Sequence, residues 1–320
     1  MGVGFHVVSR AVAVLVVAAQ VVSAGPASAQ GAPVTLLAAG DIAYCKPTWA
    51  DKLFYLITKG RKFKRGNHKT ARLLDRLEGT IVVLGDLAYR EGSAEQFEHC
   101  YDPTWGRHKE RTYPAPGNHE YRSSSDAAPY FAYWGERAGG KKRGYYSFDL
   151  GAWHIIALNS NIKAGRKSKQ LRWLRADLAE TTARCILAFW HHPMFSSGGN
   201  GDHPMMRHAY RALYEAGASV VLAGHDHIYE RFAPRDPEGR RDEPRGIRSF
   251  VVGTGGAPLG KQRRTNKTSE VVRTGSWGVL EFTLHQDRYD WEFVTLDGRG
   301  KGDTGSAACV ERAPLVQAAN

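Results

Sequence analysis

Five short segments of the sequence each end an apolar run in polar side chains that could bind metal ions. They are LLAAGD ending at Asp41, IVVLGD ending at Asp86, YPAPGNHE with Asn118 and His119, ILAFWHH ending at His191 and His192, and VVLAGHDH with His225 and His227. Mixed carboxylate, amide and imidazole groups suit borderline transition metals better than calcium, which takes oxygen ligands. Tyr89 follows Asp86 by three residues. The set is too large for one ion and predicts a site for two.

The apolar runs predict how these side chains are positioned. Continuous apolar runs are typical of buried parallel strands, and in α/β folds functional residues collect beyond the carboxyl ends of such strands. We therefore expect the five segments to meet at one edge of one sheet. Glycine precedes the polar residues in four of them, at Gly40, Gly85, Gly117 and Gly224, so the backbone can turn sharply there. Singly, each polar residue has a plainer interpretation as a cap, a turn residue or a buried histidine.

Other patterns predict the remaining elements. Helices are expected between the motif strands, at residues 67–78, 93–100, 168–180 and 204–216. Leu171, Leu174 and Leu178 recur at helical spacing behind Ser168. Residues 135–160 predict a hairpin around Gly151, and residues 247–252, WGVLEFTL and YDWEFVTL predict further strands. We expect these strands to form a second sheet that is largely antiparallel at its end.

In chain order, the motifs GD, GDxxY, GNHE, H and GHxH resemble those of the calcineurin-like metallophosphoesterases, and within them the purple acid phosphatases. The resemblance covers residues 34–300 and implies an α/β fold, a four-layer α-β-β-α sandwich of two mixed sheets flanked by helices. Most metallophosphoesterases lack the tyrosine of GDxxY, which in purple acid phosphatases binds ferric iron. With no room for the plant enzymes' N-terminal β-domain before Asp41, the chain resembles the small single-domain form.

The resemblance also implies two groups of metal ligands. Asp41, Tyr89 and His227 would bind one ion; Asn118, His191 and His225 would bind the other; and Asp86 would bridge them. The ion beside Tyr89 would be Fe(III) and the second Fe, Zn or Mn. In the family the ligand lies two residues before a proline, here Pro193, which favours His191 over His192. A swap of these two histidines stays open, as does a Tyr89 that only packs beside the site.

Three further positions are candidates for contact with the substrate. His119 matches the family's substrate-contacting histidine, next to Asn118, and His192 is a substrate-facing candidate. His203, in SSGGNGDHP, lies where plant enzymes carry an adjacent histidine pair, but this chain has one histidine, followed by Pro204. His203 is therefore either the general acid or an exposed loop residue.

The implied function is an exported phosphatase that hydrolyses phosphomonoesters by attack of a metal-bound hydroxide, with a histidine protonating the leaving group. A phosphodiesterase acting on nucleotides or phospholipid head groups could use the same metal core. A non-catalytic surface protein that binds anionic polymers is the third alternative. His119 argues against it, because a binding protein needs no proton donor above its metals.

The first 29 residues predict a secretory signal peptide. Arg10 precedes the apolar run AVAVLVVAAQVV, and Ala27-Ser28-Ala29 fits the small-residue cleavage rule. The run is short for a membrane span, and no second run of spanning length follows. We expect secretion by the general route and no transmembrane anchor after cleavage; an uncleaved anchor is the alternative.

The four cysteines of an exported chain permit two disulfides in three connectivities. Cys45 and Cys100 follow the Asp41 turn and the helix after the Asp86 turn, so we expect them to pair. Cys185 and Cys309 would then tie the tail, residues 301–320, to the catalytic domain, residues 34–300.

Basic residues outnumber acidic ones by 44 to 32, which gives a net charge of +12. Positive charge concentrates anionic substrates, and it could hold the protein on an anionic cell wall or polymer. A solvated surface is the plainest interpretation of the basic run KGRKFKRGNHKTAR. No base-stacking motif accompanies the charge, so no specific nucleic-acid partner is expected. GTGGAPLG lacks the Lys-Ser/Thr ending of a phosphate-binding loop and predicts a turn near the site.

Overall fold

A computed structural model of the chain describes residues 1–4, 31–45, 65–140 and 142–312. The described strands and helices belong to one compact unit that begins at Gly31. The predicted signal peptide lies almost entirely outside the described residues, as does the first part of the basic run at residues 59–72. Among the described residues, no helix has the length and apolarity needed to cross a membrane.

The first large sheet has six strands in the order β15-β14-β13-β1-β3-β5. Their bounds are β1 Val34–Ala39, β3 Thr80–Leu84, β5 Thr112–Ala115, β13 Gly278–Leu284, β14 Arg288–Thr295 and β15 Thr304–Ala308. Strands β1, β3 and β5 run parallel, and β13 pairs antiparallel with β1, with Leu36 opposite Phe282. The edge strand β15 lies within the segment that the sequence suggested as a tail.

The second large sheet has seven strands in the order β12-β10-β11-β9-β8-β7-β6. Their bounds are β6 Tyr146–Leu150, β7 Trp153–Ala157, β8 Cys185–Phe189, β9 Val220–Ala223, β10 Tyr229–Phe232, β11 Arg248–Val252 and β12 Ser269–Arg273. Strands β7, β8, β9 and β11 are parallel, and β6, β10 and β12 are antiparallel to their neighbours. A two-stranded sheet of β2 Ala43–Tyr44 and β4 Ala88–Tyr89 lies between the first motif loops.

Helices cover the sheets. The α-helices are Asn67–Leu74, Ala94–Gln96, Ala128–Trp134, Lys169–Glu180 and Arg207–Glu215. Short 3-10 turns are Trp105–Arg111, His119–Tyr121, Gly135–Ala138 and Pro204–Met206, and a π-helix spans Phe97–Tyr101. Ser168 caps the helix Lys169–Glu180 through its side chain, which accepts a hydrogen bond from the Leu171 backbone N–H.

The central strands β8 and β9 are buried on both faces, which explains their uninterrupted apolar sequence. In β8, Leu187 packs in one core cluster with Leu37 of β1. Its neighbours Ile186 and Ala188 pack in a second cluster with Leu174 of the helix Lys169–Glu180. One face of the second sheet therefore meets the first sheet and the other meets helices, as the predicted four-layer architecture requires.

Two sequence-based expectations about the sheets are wrong. The five motif segments do not leave one sheet, because β1, β3 and β5 belong to the first sheet and β8 and β9 to the second. The strands WGVLEFTL and YDWEFVTL form the predicted hairpin, but this hairpin joins the first sheet beside β1. Local pattern determines that a segment is a strand, whereas the partner of that strand is set by contacts far apart in sequence.

Both expected disulfides are present. Cys45 pairs with Cys100, with Cα atoms 5.2 Å apart, and Cys185 pairs with Cys309, with Cα atoms 5.6 Å apart. The first connects the residue that follows β2 to the π-helix Phe97–Tyr101, next to the motif loops. The second joins the start of β8 to the chain just after β15. The tail is therefore covalently tied to the second sheet.

Candidate metal centre

The two sheets present the carboxyl ends of their parallel strands to the same place. Asp41, Asp86 and Asn118 follow β1, β3 and β5, while His191 and His225 follow β8 and β9. Asp41, Asp86 and His225 all have positive φ, at 61°, 54° and 69°. Non-glycine residues adopt this conformation at an energetic cost, and they concentrate at functional sites.

One group of side chains converges around the hydroxyl of Tyr89. This oxygen lies 2.7 Å from Asp41 Oδ1, 2.9 Å from Asp86 Oδ2 and 3.1 Å from His227 Nε2. His227 Nε2 also lies 3.3 Å from Asp41 Oδ1. Its other nitrogen, Nδ1, donates to the Pro258 carbonyl at 2.7 Å, which leaves Nε2 to face the group. We call this the tyrosine group.

A second group converges around His191 Nε2. This nitrogen lies 3.1 Å from Asn118 Oδ1, 3.1 Å from His225 Nδ1 and 3.4 Å from Asp86 Oδ2. Its Nδ1 donates to the Leu84 carbonyl at 2.8 Å. We call this the histidine group. It shares Asp86 Oδ2 with the tyrosine group, which is the geometry of a bridging ligand.

The donor atoms of both groups fit metal ions. Coordination bonds of about 2.0–2.2 Å place neighbouring ligand atoms roughly 3 Å apart, which matches the separations in both groups. When His191 and His227 are neutral, acceptors also outnumber protons: the single Tyr89 hydroxyl faces three acceptors, and His191 has only a lone pair at Nε2 to face the Asn118 oxygen. A cation at the centre of each group resolves this surplus. The chain therefore has the residues to hold two ions.

The pKa shifts at the site agree with a centre that binds two cations. Burial, followed by the charge of neighbouring histidines, lowers the pKa of His225 to about 3, so its imidazole is neutral and can ligate. Burial also acts on His191 and His227, but the carboxylates of Asp86 and Asp41 outweigh it and raise the pKa of each to about 9. Both positions therefore favour positive charge, which cations would supply. Burial, and then Asp41 and Asp86, raise the pKa of the Tyr89 phenol.

Four histidines lie on the side of the centre away from Tyr89, and the structure distinguishes their positions. His192 Nδ1 lies 2.8 Å from the Ser160 hydroxyl, and burial, with neighbouring histidines, lowers the pKa of His192 to about 2. His192 and His203 have ring centroids 5.0 Å apart, and His203 and His225 4.7 Å apart. The structure thus places His191 among the Asn118, His225 and Asp86 donors, and His192 and His203 beside them.

His119 lies on the other side of the bridge. Its Nδ1 hydrogen-bonds the Arg90 carbonyl, and its Nε2 lies 3.7 Å from Asp86 Oδ2. Its ring packs against Tyr89, with centroids 4.3 Å apart. Burial lowers the pKa of His119. The side chain therefore directs one nitrogen to the shared oxygen, with a backbone carbonyl holding the other.

Comparison with known proteins identifies the family. The sequence pattern described as "Calcineurin-like phosphoesterase" matches residues 34–229. The chain belongs to this calcineurin-like phosphoesterase family.

Individual relatives of this calcineurin-like phosphoesterase include purple acid phosphatases. Purple acid phosphatase 18 of Arabidopsis thaliana is 30% identical over 66% of this chain and 52% of its own length. A purple acid phosphatase from yellow lupin (Lupinus luteus) seeds has the same fold, with a TM-score of 0.73, 19% identity, and coverage of 93% of this chain and 59% of that one. The chain spans 52% of the length of purple acid phosphatase 18 and 35% of that of purple acid phosphatase 15 of Arabidopsis thaliana.

The fold also occurs in a protein that is described as an anchor. The anchor protein of the inner membrane complex of Plasmodium matches with a TM-score of 0.62 and 13% identity, covering 88% of this chain and 90% of that one. Similarity at that level shows shared architecture alone. For this calcineurin-like phosphoesterase, function must therefore be argued from the site.

Two buried carboxylates organise the calcineurin-like phosphoesterase centre, and sequence analysis assigned neither a role. Glu120, fully buried, accepts hydrogen bonds from the backbone N–H groups of Asp86 and Gly117 at one oxygen and of Leu87 and Ala88 at the other. It therefore joins the β3 loop to the β5 loop. Its only sequence signal was its place directly after Asn118 and His119 in GNHE.

The second buried carboxylate is Asp226, which lies between His225 and His227 in the sequence. Its carboxylate accepts from the Ser196 hydroxyl and from the backbone N–H groups of Asn200 and Gly201. These contacts shape the loop that ends at His203. The segment GTGGAPLG packs on Asp41, whose carbonyl accepts from the Ala257 N–H at 2.8 Å. It thus forms a turn beside the ligands.

Proposed function

We propose that this chain is an exported dinuclear metal phosphatase that hydrolyses phosphomonoesters. The observation that carries the proposal is the shared oxygen: Asp86 Oδ2 lies 2.9 Å from the Tyr89 hydroxyl and 3.4 Å from His191 Nε2, so one carboxylate belongs to both ligand groups. Two-metal sites of this kind serve in-line displacement at phosphorus.

Asp41, Tyr89, His227 and Asp86 would hold the first ion, and Asn118, His191, His225 and Asp86 the second. Two bound cations supply Lewis acidity, which ionises water near neutral pH and neutralises negative charge on the phosphoryl oxygens. The protein's contribution is to fix the ligands. His191 is held by the Leu84 carbonyl and His227 by the Pro258 carbonyl, so neither imidazole can rotate away without losing a hydrogen bond.

The composition of the groups indicates which ion each prefers. The tyrosine group offers a phenol and a carboxylate of its own in addition to the bridge, whereas the unshared members of the histidine group, Asn118, His191 and His225, are an amide and two imidazoles. The more anionic group favours the more highly charged ion. This supports Fe(III) beside Tyr89 and a divalent Fe, Zn or Mn ion in the histidine group.

The leaving alkoxide needs a proton, and the open side of the centre carries imidazoles. His119 has Nδ1 engaged by the Arg90 carbonyl, so Nε2 is the atom free to exchange a proton with a bound ester. His203 Nε2 is buried and has no hydrogen-bond partner among the described residues. His119, Asn118, His192 and His203 are thus the groups proposed to contact substrate, with His119 or His203 as general acid.

The assay uses the metal-loaded protein with p-nitrophenyl phosphate and bis(p-nitrophenyl) phosphate. Monoester turnover that exceeds diester turnover, and that is lost on chelation, supports the proposal. Preference for the diester would make the protein a phosphodiesterase instead. Turnover of neither ester would leave a binding protein on the same fold.

Three variants test the roles proposed for individual residues. His119→Ala should lower kcat while leaving the metal content at two ions per chain, because His119 is not placed in either group. Asp86→Ala should lose both ions together. A visible absorption band that disappears in Tyr89→Phe would support ferric iron at the tyrosine group, and a colourless protein with two zinc ions would contradict it.

Export rests on the signal-like first 29 residues and on the two disulfides, which form in oxidising compartments. Expression of the full chain should yield a mature protein in the medium that begins at Gln30. N-terminal sequencing tests this, and retention of residues 1–29 in a membrane fraction would contradict it. The net positive charge supports weak association with anionic cell walls and not specific nucleic-acid binding, which a salt-elution series would test.

A further inference from the structure

A basic loop at the rim of the metal centre has no role in the proposed chemistry. Residues 261–267, KQRRTNK, carry Lys261, Arg263, Arg264 and Lys267, and all four side chains are exposed. We call this segment the arginine loop. Exposed cationic side chains on loops are ordinarily solvated. A function for these four depends on where the loop lies, how it is held and whether its charges are paired.

The position of the arginine loop is fixed by the site itself. At its start, the Gly260 N–H donates to the carbonyl of His227, a member of the tyrosine group, at 2.8 Å. Further on, the N–H groups of Arg263 and Arg264 both donate to the Ser197 carbonyl, at 2.8 and 3.2 Å. Asn266 N–H donates to the Ser197 hydroxyl at 3.2 Å. The loop therefore runs from the metal ligands to the segment that carries His203.

The two arginines lie over that segment. The guanidinium of Arg264 packs so closely on Gly201 that a methyl group there would overlap it, and the Arg263 side chain lies over Gly199. Gly201 is two residues from His203, which places their Cα atoms no more than about 7.6 Å apart. The guanidinium thus lies beside the loop that carries His203, whose ring centroid is 4.7 Å from that of His225.

The cations lack internal partners. Within residues 31–45, 65–140 and 142–312, no carboxylate lies within salt-bridge distance of Lys261, Arg263 or Arg264. The adjacent Asp202 accepts a hydrogen bond from the Ser196 N–H instead. Unpaired arginines also occur elsewhere on the described surface, for example at Arg76 and Arg175, so the distinguishing feature of the arginine loop is its position beside the metal centre. The arginine loop therefore presents uncompensated positive charge beside the site.

We propose that Arg263 and Arg264 bind a second phosphate group of the substrate, so that the enzyme prefers small molecules with two or more phosphates over simple monoesters. The inference rests on the proposed phosphatase function and specifies its substrate class. Guanidinium groups suit this role because their planar N–H donors match phosphate oxygens in pairs. The metal centre would hold the ester phosphate that is cleaved, and the arginine loop would hold the one that is retained.

The test compares substrates that differ in their second phosphate. Metal-loaded wild type and Arg263→Gln/Arg264→Gln are assayed on p-nitrophenyl phosphate, ATP and fructose 1,6-bisphosphate. The matched control is Arg76→Gln/Arg175→Gln, which removes two exposed positive charges from positions that supply nothing to the centre. Loss of charge-assisted hydrogen bonds lowers affinity by about 10- to 100-fold.

We expect the ratio of kcat/KM for a polyphosphorylated substrate to that for p-nitrophenyl phosphate to fall about 10- to 100-fold in the arginine variant and to stay unchanged in the control. An effect on ATP alone indicates an anhydride-linked second phosphate, and an effect on the bisphosphate alone indicates a carbon-linked one. A ratio that is unchanged for both substrates, or that falls equally in the control, overturns the inference.

A binding measurement separates this inference from the proposed function. Calorimetry of inorganic tripolyphosphate and of adenosine 5′-(β,γ-methylene)triphosphate needs no turnover. Weaker binding to the arginine variant than to the control supports the subsite even if wild type hydrolyses none of the esters, in which case only the phosphatase proposal fails. Equal binding to both variants refutes the subsite even if p-nitrophenyl phosphate is hydrolysed rapidly.

Discussion

Replacement of Glu120 by glutamine tests how the two ligand loops are held together. The carboxylate is fully buried and spans the loops after β3 and β5. Oε2 accepts from the N–H groups of Gly117 at 2.7 Å and Asp86 at 2.9 Å, and Oε1 from Leu87 at 2.8 Å and Ala88 at 3.4 Å. Both oxygens act only as acceptors. Glutamine keeps the shape but turns one acceptor into a donor.

The magnitude follows from the donors left without a partner. In either orientation of the amide, the glutamine NH₂ group faces two backbone N–H groups that donate to the carboxylate in the wild type. At least one of these two hydrogen bonds is short in the wild type. A buried unsatisfied donor costs about 1–3 kcal/mol, so Glu120→Gln should lower the free energy of unfolding by about 2–6 kcal/mol. Typical domains have about 5–15 kcal/mol in total. The variant should fold but with a large share of its stability lost.

Metal binding should weaken with stability, because Glu120 helps to hold the loops that carry Asp86 and Asn118 in register. Urea unfolding of metal-free protein measures the first effect, and metal titration of the folded variant measures the second. Glu78→Gln, an exposed change of the same chemistry, is the control and should stay within about 0.5 kcal/mol of wild type. Wild-type stability in Glu120→Gln, or lost stability with undiminished metal affinity, would refute the reasoning.

Two further predictions concern stability away from the metal centre. Burial lowers the pKa of His154, but its hydrogen bonds to Asp177 and Asp149 outweigh burial and raise the pKa above 6.5. The stabilisation that protonated His154 contributes is therefore fully present below pH ~6.5, the pKa of a histidine in the unfolded chain. It is lost as pH rises through the higher pKa of His154 in the folded protein. The stability gap between wild type and His154→Gln, about 1–3 kcal/mol at pH 6, should narrow by pH 8.5 in urea unfolding; a gap that widens contradicts the assignment. Cys185→Ser/Cys309→Ser opens a disulfide with a sequence separation of 124, which should cost about 3–5 kcal/mol by loop entropy. An unchanged unfolding midpoint in the double variant would show that the edge strand holds the tail without the covalent link.

Local signals predicted most of the elements of the fold. The helix Lys169–Glu180 begins behind Ser168 as expected, and the hairpin of β6 and β7 turns at Gly151. Element ends were less accurate: the helix expected at residues 93–100 is a three-residue α-helix that continues as the π-helix Phe97–Tyr101. A π-turn requires a local register that side-chain periodicity does not specify.

The sequence by itself identified the candidate ligands. Five of them come two or three residues after an apolar strand, namely Asp41, Asp86, Asn118, His191 and His225, so such a run indicates both the position and the chemistry. The sequence could not divide the strands between two sheets, because hydrogen bonding between β1 and the distant β13 depends on chain closure and not on local pattern. For the same reason it placed all five segments in one sheet.

The family resemblance already implied how the ligands divide, with Asp86 as the bridge, and only the tertiary structure decided the contacts that hold them in place. It brings the Asp86 carboxylate between Tyr89 and His191, and it turns Glu120 inward to receive four backbone N–H groups. It also lays the arginine loop over Gly201, more than sixty residues away in sequence. These are contacts between segments with no sequence relation to one another. Their physical origin is the packing of two sheets, which brings the ends of β1, β3, β5, β8 and β9 to a common point.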